Sequence, residues 1–254
     1  MPKALAVKLK LHGPITIQYP LLSTAGGSYI LPPPSTLIGA LYFAYAFQAG
    51  NYTEVKEIED KVCSPVYEWI KDRVVIDATV IPVGSVAAVT NTLLRLFNWV
   101  EQGRGREVED EELYTVGYVG LSYVPELIAI YAVKDEWFNE LRRSAWGMIR
   151  LGKKEGLVSV TEVGEAEVKT DINNVYVNSY FRDDSVTYVV QESSVQFFPD
   201  PYSAETYCHS GYNIPQPMLV KYVIPWGDGA KVGGLKEGYR IVSYGGKYAV
   251  LKFE

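Results

Sequence analysis

Cysteine and histidine are scarce in this 254-residue chain, with two of each. Cys63 and Cys208 are too few for a zinc site, and no second pair of thiolates or imidazoles stands at ligand spacing. The expectation is two ordinary thiols, in a chain long enough to bury a core without a disulfide scaffold. His12 and His209 are the only candidates for histidine chemistry, and neither has a sequence neighbour that would orient it. A Gly-x-Ser-x-Gly elbow is missing, so is a Walker loop, and no Asp-x-Asp pair of the kind that holds catalytic magnesium occurs; the adjacent Asp183-Asp184 is read as a solvated turn. Hydrolase chemistry therefore finds little support, and no metal or cofactor is expected.

Long apolar runs are also missing, so no segment approaches a membrane span. Met1-Pro2-Lys3 leads into an alternating stretch and not into the apolar core of a signal peptide. The expectation is a cytoplasmic protein with no membrane partner. Excess positive charge is lacking as well: the net charge is −6, which argues against nucleic-acid binding through a generally basic surface. A local groove stays open, because Glu140 to Glu155 carries five cations, Arg142, Arg143, Arg150, Lys153 and Lys154, against two acids, a net +3.

What the chain has in quantity is tyrosine, 20 residues, each a flat stacking face with a hydroxyl. That suits interfaces and nucleotides, or a β-rich core with wet edges. The most informative run is Ile30-Leu31-Pro32-Pro33-Pro34-Ser35-Thr36-Leu37-Ile38-Gly39-Ala40-Leu41. Prolines hold the chain extended to Pro34, and Ser35 or Thr36 can then cap a helix that runs to about Gln48. An exposed helix start of this kind favours a phosphate, or it is simply a capped core helix after a stiff loop.

Around this run, the pattern predicts a strand over Ala4–Leu11, a long loop over His12–Pro34, a helical segment near Thr53–Ile70 broken at Ser64-Pro65, and a β-branched strand over Arg73–Ile81. An excursion spans Pro82 to Pro125 and carries Gly103-Arg104-Gly105-Arg106. A strand over Glu126–Val133 and a helix from Asp135 to about Trp146 follow. Gly152-Lys153-Lys154 then makes a cationic glycine turn ahead of the next strand. Without the excursion the order is βαββαβ, a ferredoxin-like arrangement shared with RNA-recognition domains, within the α+β class. Residues 1–160 are read as that domain, with an insertion at about 82–125. Residues 161–254 are read as an irregular β-rich region packed on it, ending in a hairpin turned at Gly245-Gly246.

The proline-guarded helix start, together with Arg150-Leu151-Gly152-Lys153-Lys154-Glu155-Gly156-Leu157-Val158-Ser159-Val160, resembles the fifth family of CRISPR-associated proteins in its archaeal type I-A form, within the RAMP superfamily. The resemblance implies a ferredoxin-like domain with a protruding thumb, which the 82–125 excursion would supply. It implies a noncatalytic subunit of the Cascade interference complex, acting in antiviral defence. Such a subunit binds the repeat-derived 5′ handle of CRISPR RNA and caps the filament of family-seven backbone subunits, beside the large and small subunits. Carried onto this sequence, the implied RNA contacts are Ser35, Thr36, Arg150, Lys153 and Lys154, with Arg95, Arg104 and Arg106 matched by position in the thumb. Tyr19 and Tyr29 of the long loop are candidates for holding bases. The rival expectation is a metal-independent endoribonuclease with His12 as general base and a lysine stabilising the transition state. The Lys-His dipeptide of RNA-cutting relatives is absent.

Overall fold

The structure, a computed structural model, describes residues 2–17, 25–26, 28–51, 53–58, 60–96, 114–153, 156–169, 174–190, 193–210 and 217–254. It is a strand-rich mixed α/β protein. Six strands form the main sheet, labelled β1 to β6 in chain order: β1 (Lys3–Leu11), β2 (Val75–Val83), β3 (Glu126–Val133), β4 (Val158–Lys169), β5 (Tyr239–Tyr244) and β6 (Lys247–Lys252). Their order is β6-β5-β4-β1-β3-β2, and every neighbouring pair is antiparallel. Three helices accompany them: α1 (Pro34–Gln48), α2 (Val66–Lys71) and α3 (Asp135–Ser144).

The period-two pattern of β1 and β3 explains how the sheet is covered on both sides. Leu5, Val7, Leu9 and Leu11, with Leu127, Ala129, Tyr131 and Val133, enter one core with Leu37, Ile38 and Leu41 of α1 and Phe138 and Leu141 of α3. The alternate residues Ala4, Ala6, Ile128, Ile130 and Ala132 enter a second core with Val242, Ala249, Leu251 and Phe253. Helices cover the first face; the second is closed by the sheet itself. The small alanines let it curl until the edge strands β6 and β2 meet, where the Lys252 N–H donates to the Asp77 carboxylate at 2.8 Å.

Between β2 and β3 the chain forms a two-stranded antiparallel ribbon, Ala87–Leu96 against Tyr114–Tyr123. Between β4 and β5 lie two three-stranded sheets. One holds Val175–Val177, Ala230–Leu235 and Val186–Val190, and the other Phe181–Arg182, Leu219–Pro225 and Ser193–Pro199. The expected division at residue 160 falls inside β4, and the closing hairpin belongs to the main sheet.

Two local expectations are corrected. The segment expected to be helical from Thr53 is a hairpin, Lys56–Ile58 with Lys61–Cys63, turned at Asp60 with φ 60°. Helix starts only after Pro65, as α2, because proline suits the entry to a helix and not its middle. The thiols are not free: Cys63 and Cys208 form a disulfide. The Cys208–His209 strand pairs antiparallel with Lys61–Cys63 and sets Cys208 opposite Cys63, with Cα atoms 4.0 Å apart.

Candidate nucleic-acid interface

The register fixes which segments share an end of the sheet. Val83 lies opposite Glu126, Lys10 opposite Glu126 and Leu11 opposite Val158. The finish of β1 and β2 and the start of β3 and β4 therefore coincide. The ribbon leaves the sheet there, and the Arg150–Leu157 loop turns there, closed by a bridge between those two residues.

Backbone hydrogen bonds tie the loop to its surroundings. The Lys153 N–H donates to Thr16 O at 3.2 Å, Gly156 N–H to Lys153 O at 2.9 Å, and Leu151 N–H to Gly156 O at 2.8 Å. Gly152, with φ 72°, packs where a Cβ would strike Ile17 and the Thr16 carbonyl; a Cβ on Gly156 would collide with the Leu151 carbonyl. Only glycine allows this loop to lie so close to the segment after β1. From Thr16 the connection continues: Tyr29 N–H to Ile17 O at 2.9 Å, then Ser122 Oγ, at the ribbon's foot, to Ile30 O. The ribbon foot is further held by the Ile15 and Ser122 backbones, which bond in both directions at 2.7 and 2.9 Å.

Helix α1 lies beside the same loop. The buried Tyr131 hydroxyl reaches Leu37 O at 3.2 Å and Met148 Sδ at 3.9 Å. The Arg150 guanidinium sits 5.6 Å from the Phe43 ring centre. Gly39, Phe43 and Arg150 line an open pocket of about 350 Å³.

The candidate residues fall into three groups. Arg150 and Lys153 are exposed on the glycine loop, and Ser35 and Thr36 are half-buried at the start of α1. Arg95 is in the ribbon opposite Thr115, with no more than its backbone described, and Tyr19, Arg104, Arg106 and Lys154 lie outside the described residues. Tyr29 is a correction. It is 1% exposed, its ring 5.0 Å edge-on to Phe198, so it fills the core and offers no face to a base.

The helix start is corrected as well. The N-cap is Pro33, with no side-chain cap, and Pro32, Pro33 and Pro34 are buried. Prolines at the cap and the first position lack N–H groups, and the Thr36 and Leu37 amides both point at Pro33 O. Few donors remain for an anion at this place. The proline run instead docks on the C-terminal region, where the Tyr180 hydroxyl donates to Pro32 O at 2.8 Å.

Sequence reasoning missed the aromatic flank of the loop. Phe43 and Phe47 are 41% and 61% exposed on α1 and stack with ring centres 6.3 Å apart. Their i, i+4 spacing was visible, but α1 carries no charge to mark an outer face. His12, also exposed, sits at this end with Nε2 2.5 Å from Ser159 Oγ. Among the described residues no group of three or more His, Cys, Asp or Glu converges as a metal site. No described helix is long and apolar enough to cross a membrane.

A curled antiparallel sheet with helices on one face, and a cationic loop beside a two-stranded ribbon, define a strand-rich α/β class of protein. The crystal structure of a CRISPR protein from Archaeoglobus fulgidus matches it with a TM-score of 0.60 over 98% of both chains, at 17% identity, a likeness of fold. No family model matches the chain. Two proteins of Saccharolobus solfataricus are similar in sequence: CRISPR-associated protein Cas5 3, 31% identical over 179 residues, and CRISPR system aCascade subunit Cas5 1, 32% identical over 181 residues. Each alignment covers 70% of this chain and 71% of the relative. The chain belongs to the Cas5 family of CRISPR-associated proteins.

Proposed function

We propose that this protein is the CRISPR RNA-binding subunit of an archaeal type I-A Cascade, holding the repeat-derived 5′ handle and capping the backbone filament without cutting RNA. The observation that carries this reading is the junction at one end of the sheet, where the Arg150–Leu157 loop, the segment after β1 and the ribbon's foot are tied by backbone hydrogen bonds. Arg150 and Lys153 supply cations for phosphates, the exposed rings of Phe43 and Phe47 supply faces for splayed bases, and the ribbon acts as the thumb. The order β4-β1-β3-β2, with α1 and α2 between β1 and β2 and α3 between β3 and β4, supports the ferredoxin-like reading. The aCascade name of one relative supports the assembly, with family-seven backbone, large and small subunits as partners in the cytoplasm.

The test is handle binding by the Arg150→Ala, Lys153→Ala variant. Loss of two phosphate contacts is expected to weaken binding about tenfold or more and to lower the salt dependence, by about 0.7 in log K per log salt for each phosphate on a single strand. Unchanged binding overturns the loop assignment.

A second reading is favoured by one observation, the exposed His12 at the same end. In it the imidazole takes the proton of a ribose 2′-hydroxyl, whose oxygen attacks the adjacent phosphorus and expels the 5′-oxygen to leave a 2′,3′-cyclic phosphate, while a loop cation stabilises the transition state. Repeat RNA incubated with the protein in EDTA distinguishes the two. Site-specific cleavage that disappears in His12→Ala selects the nuclease; intact RNA selects the binding subunit.

A further inference from the structure

The far end of the sheet, where Val75 lies opposite Val133, carries a second cationic feature. Helix α2 ends at Lys71, and the chain enters β2 through Asp72, Arg73 and Val74. The Arg73 N–H donates to Ile70 O at 3.1 Å and the Val74 N–H to Trp69 O at 2.8 Å, a helix ending that places Arg73 at φ 54°. Glycine usually takes that left-handed position, because a Cβ there crowds the following carbonyl. An arginine at this position is locally less stable than a glycine, a strain of the kind found at functional sites.

Lys71, Arg73 and Lys252 line a cleft of about 520 Å³ with Tyr67, Tyr202 and Glu254. The carboxylate of Glu254 is engaged by Arg240 at 3.0 Å. Among the described residues none of the three cations is in an ion pair, and the Lys252 ammonium lies 5.0 Å above the Tyr202 ring. Three cations therefore line one opening beside a single lining acid, Glu254, whose charge Arg240 offsets, in a chain of net charge −6. Lys71 and Arg73 are exposed and Lys252 half-buried, so the charge sits on the rim, on long stems. Rim cations suit successive phosphates of a strand crossing the opening better than one engulfed phosphate. The half-buried Tyr67 offers a ring for a base.

We propose that this cleft binds the phosphodiester backbone of a single nucleic-acid strand, at a site separate from the ribbon end. The proposal stands on the cleft alone and does not need the handle reading. Its test uses the full chain and a labelled uridine oligonucleotide lacking any repeat sequence, followed by anisotropy across salt concentrations. Lys71→Ala with Arg73→Gly is expected to lower affinity about fivefold or more and to flatten the salt slope by about 0.7 for each phosphate released. The melting temperature should hold or rise, since glycine relieves the backbone at position 73. Lys252→Gln, which leaves α2 intact, should weaken binding in the same direction.

Unchanged affinity and slope in both variants overturn the proposal. So does full competition by a nucleoside triphosphate at equal concentration, which identifies a free nucleotide as the ligand, or loss of all binding in Arg150→Ala, Lys153→Ala, which leaves no share for the cleft. If the loop substitutions leave binding of the repeat-derived handle unchanged while the cleft substitutions weaken binding of the uridine oligonucleotide, the handle reading fails and the cleft stands.

Discussion

Asp77 joins the two edges of the curled sheet, and its charge should set how stability changes with pH. It is 6% exposed, at an irregularity of β2 where the pairing with β3 shifts between Val75 and Asp77. One carboxylate oxygen accepts the Ala78 N–H and the other the Lys252 N–H, both at 2.8 Å. Burial pushes this carboxyl up from 3.8 to about 6, against the opposing pull of those N–H groups and the Arg182 guanidinium. The folded state therefore holds a proton that the unfolded state has released between about pH 4 and pH 6. Stability from this group is fully present below about pH 4, is lost as pH rises to about 6, and is flat above. At about 1.4 kcal/mol per pH unit over a window about two units wide, the loss is about 3 kcal/mol.

Asp77→Asn cannot titrate, so the measurement is urea unfolding of both proteins at pH 4, 5, 6 and 7.5, with the disulfide kept oxidised. The stability of the native protein minus that of the variant should fall by about 3 kcal/mol across the series. A flat difference would refute the reasoning, and a rising one would show the carboxyl depressed and not raised. Taking the difference cancels the other carboxylates of the chain.

Other outcomes follow from the same geometry. The disulfide spans 145 positions, for which a chain-entropy argument gives a ceiling of about 5 kcal/mol, so Cys208→Ala should lower unfolding free energy by about 2–5 kcal/mol in nonreducing urea titrations; reductant should lower the native protein equally. Gly156→Ala should cost about 1–3 kcal/mol by calorimetry and weaken RNA binding too, because the Leu151 carbonyl must move and takes the Lys153 loop with it. Tyr131→Phe should cost about 1 kcal/mol in the same titration, the worth of its bond to Leu37 O; an unchanged midpoint would show the hydroxyl idle.

Much of the sheet and helix order was legible because its signals are local. β3 falls at Glu126–Val133 as its apolar run indicated, α1 starts one residue early at Pro34, and the hairpin turns at Gly245-Gly246. What escaped depends on distant pairing. The curl of β6 onto β2 and the meeting of Cys63 with Cys208 are set by register across more than a hundred positions. The site divides in the same way. The glycine loop was readable because only glycine fits it. Tyr29 was misread because a tyrosine in a polar loop looks the same in sequence whether it faces solvent or Phe198. Lys71 and Arg73 drew no notice, since a basic helix end is ordinary until the left-handed turn and the facing Lys252 are seen together.

The central claim is that the ribbon end holds the 5′ end of a CRISPR RNA. The most direct measurement is ultraviolet crosslinking of the assembled complex carrying RNA with 4-thiouridine in its repeat-derived 5′ segment, with the attached peptides identified by mass spectrometry. The account predicts adducts between that segment and the 148–157 region, reduced in Arg150→Ala, Lys153→Ala. Adducts confined to other parts of this chain, or 5′ segments crosslinked only to other subunits, would contradict it.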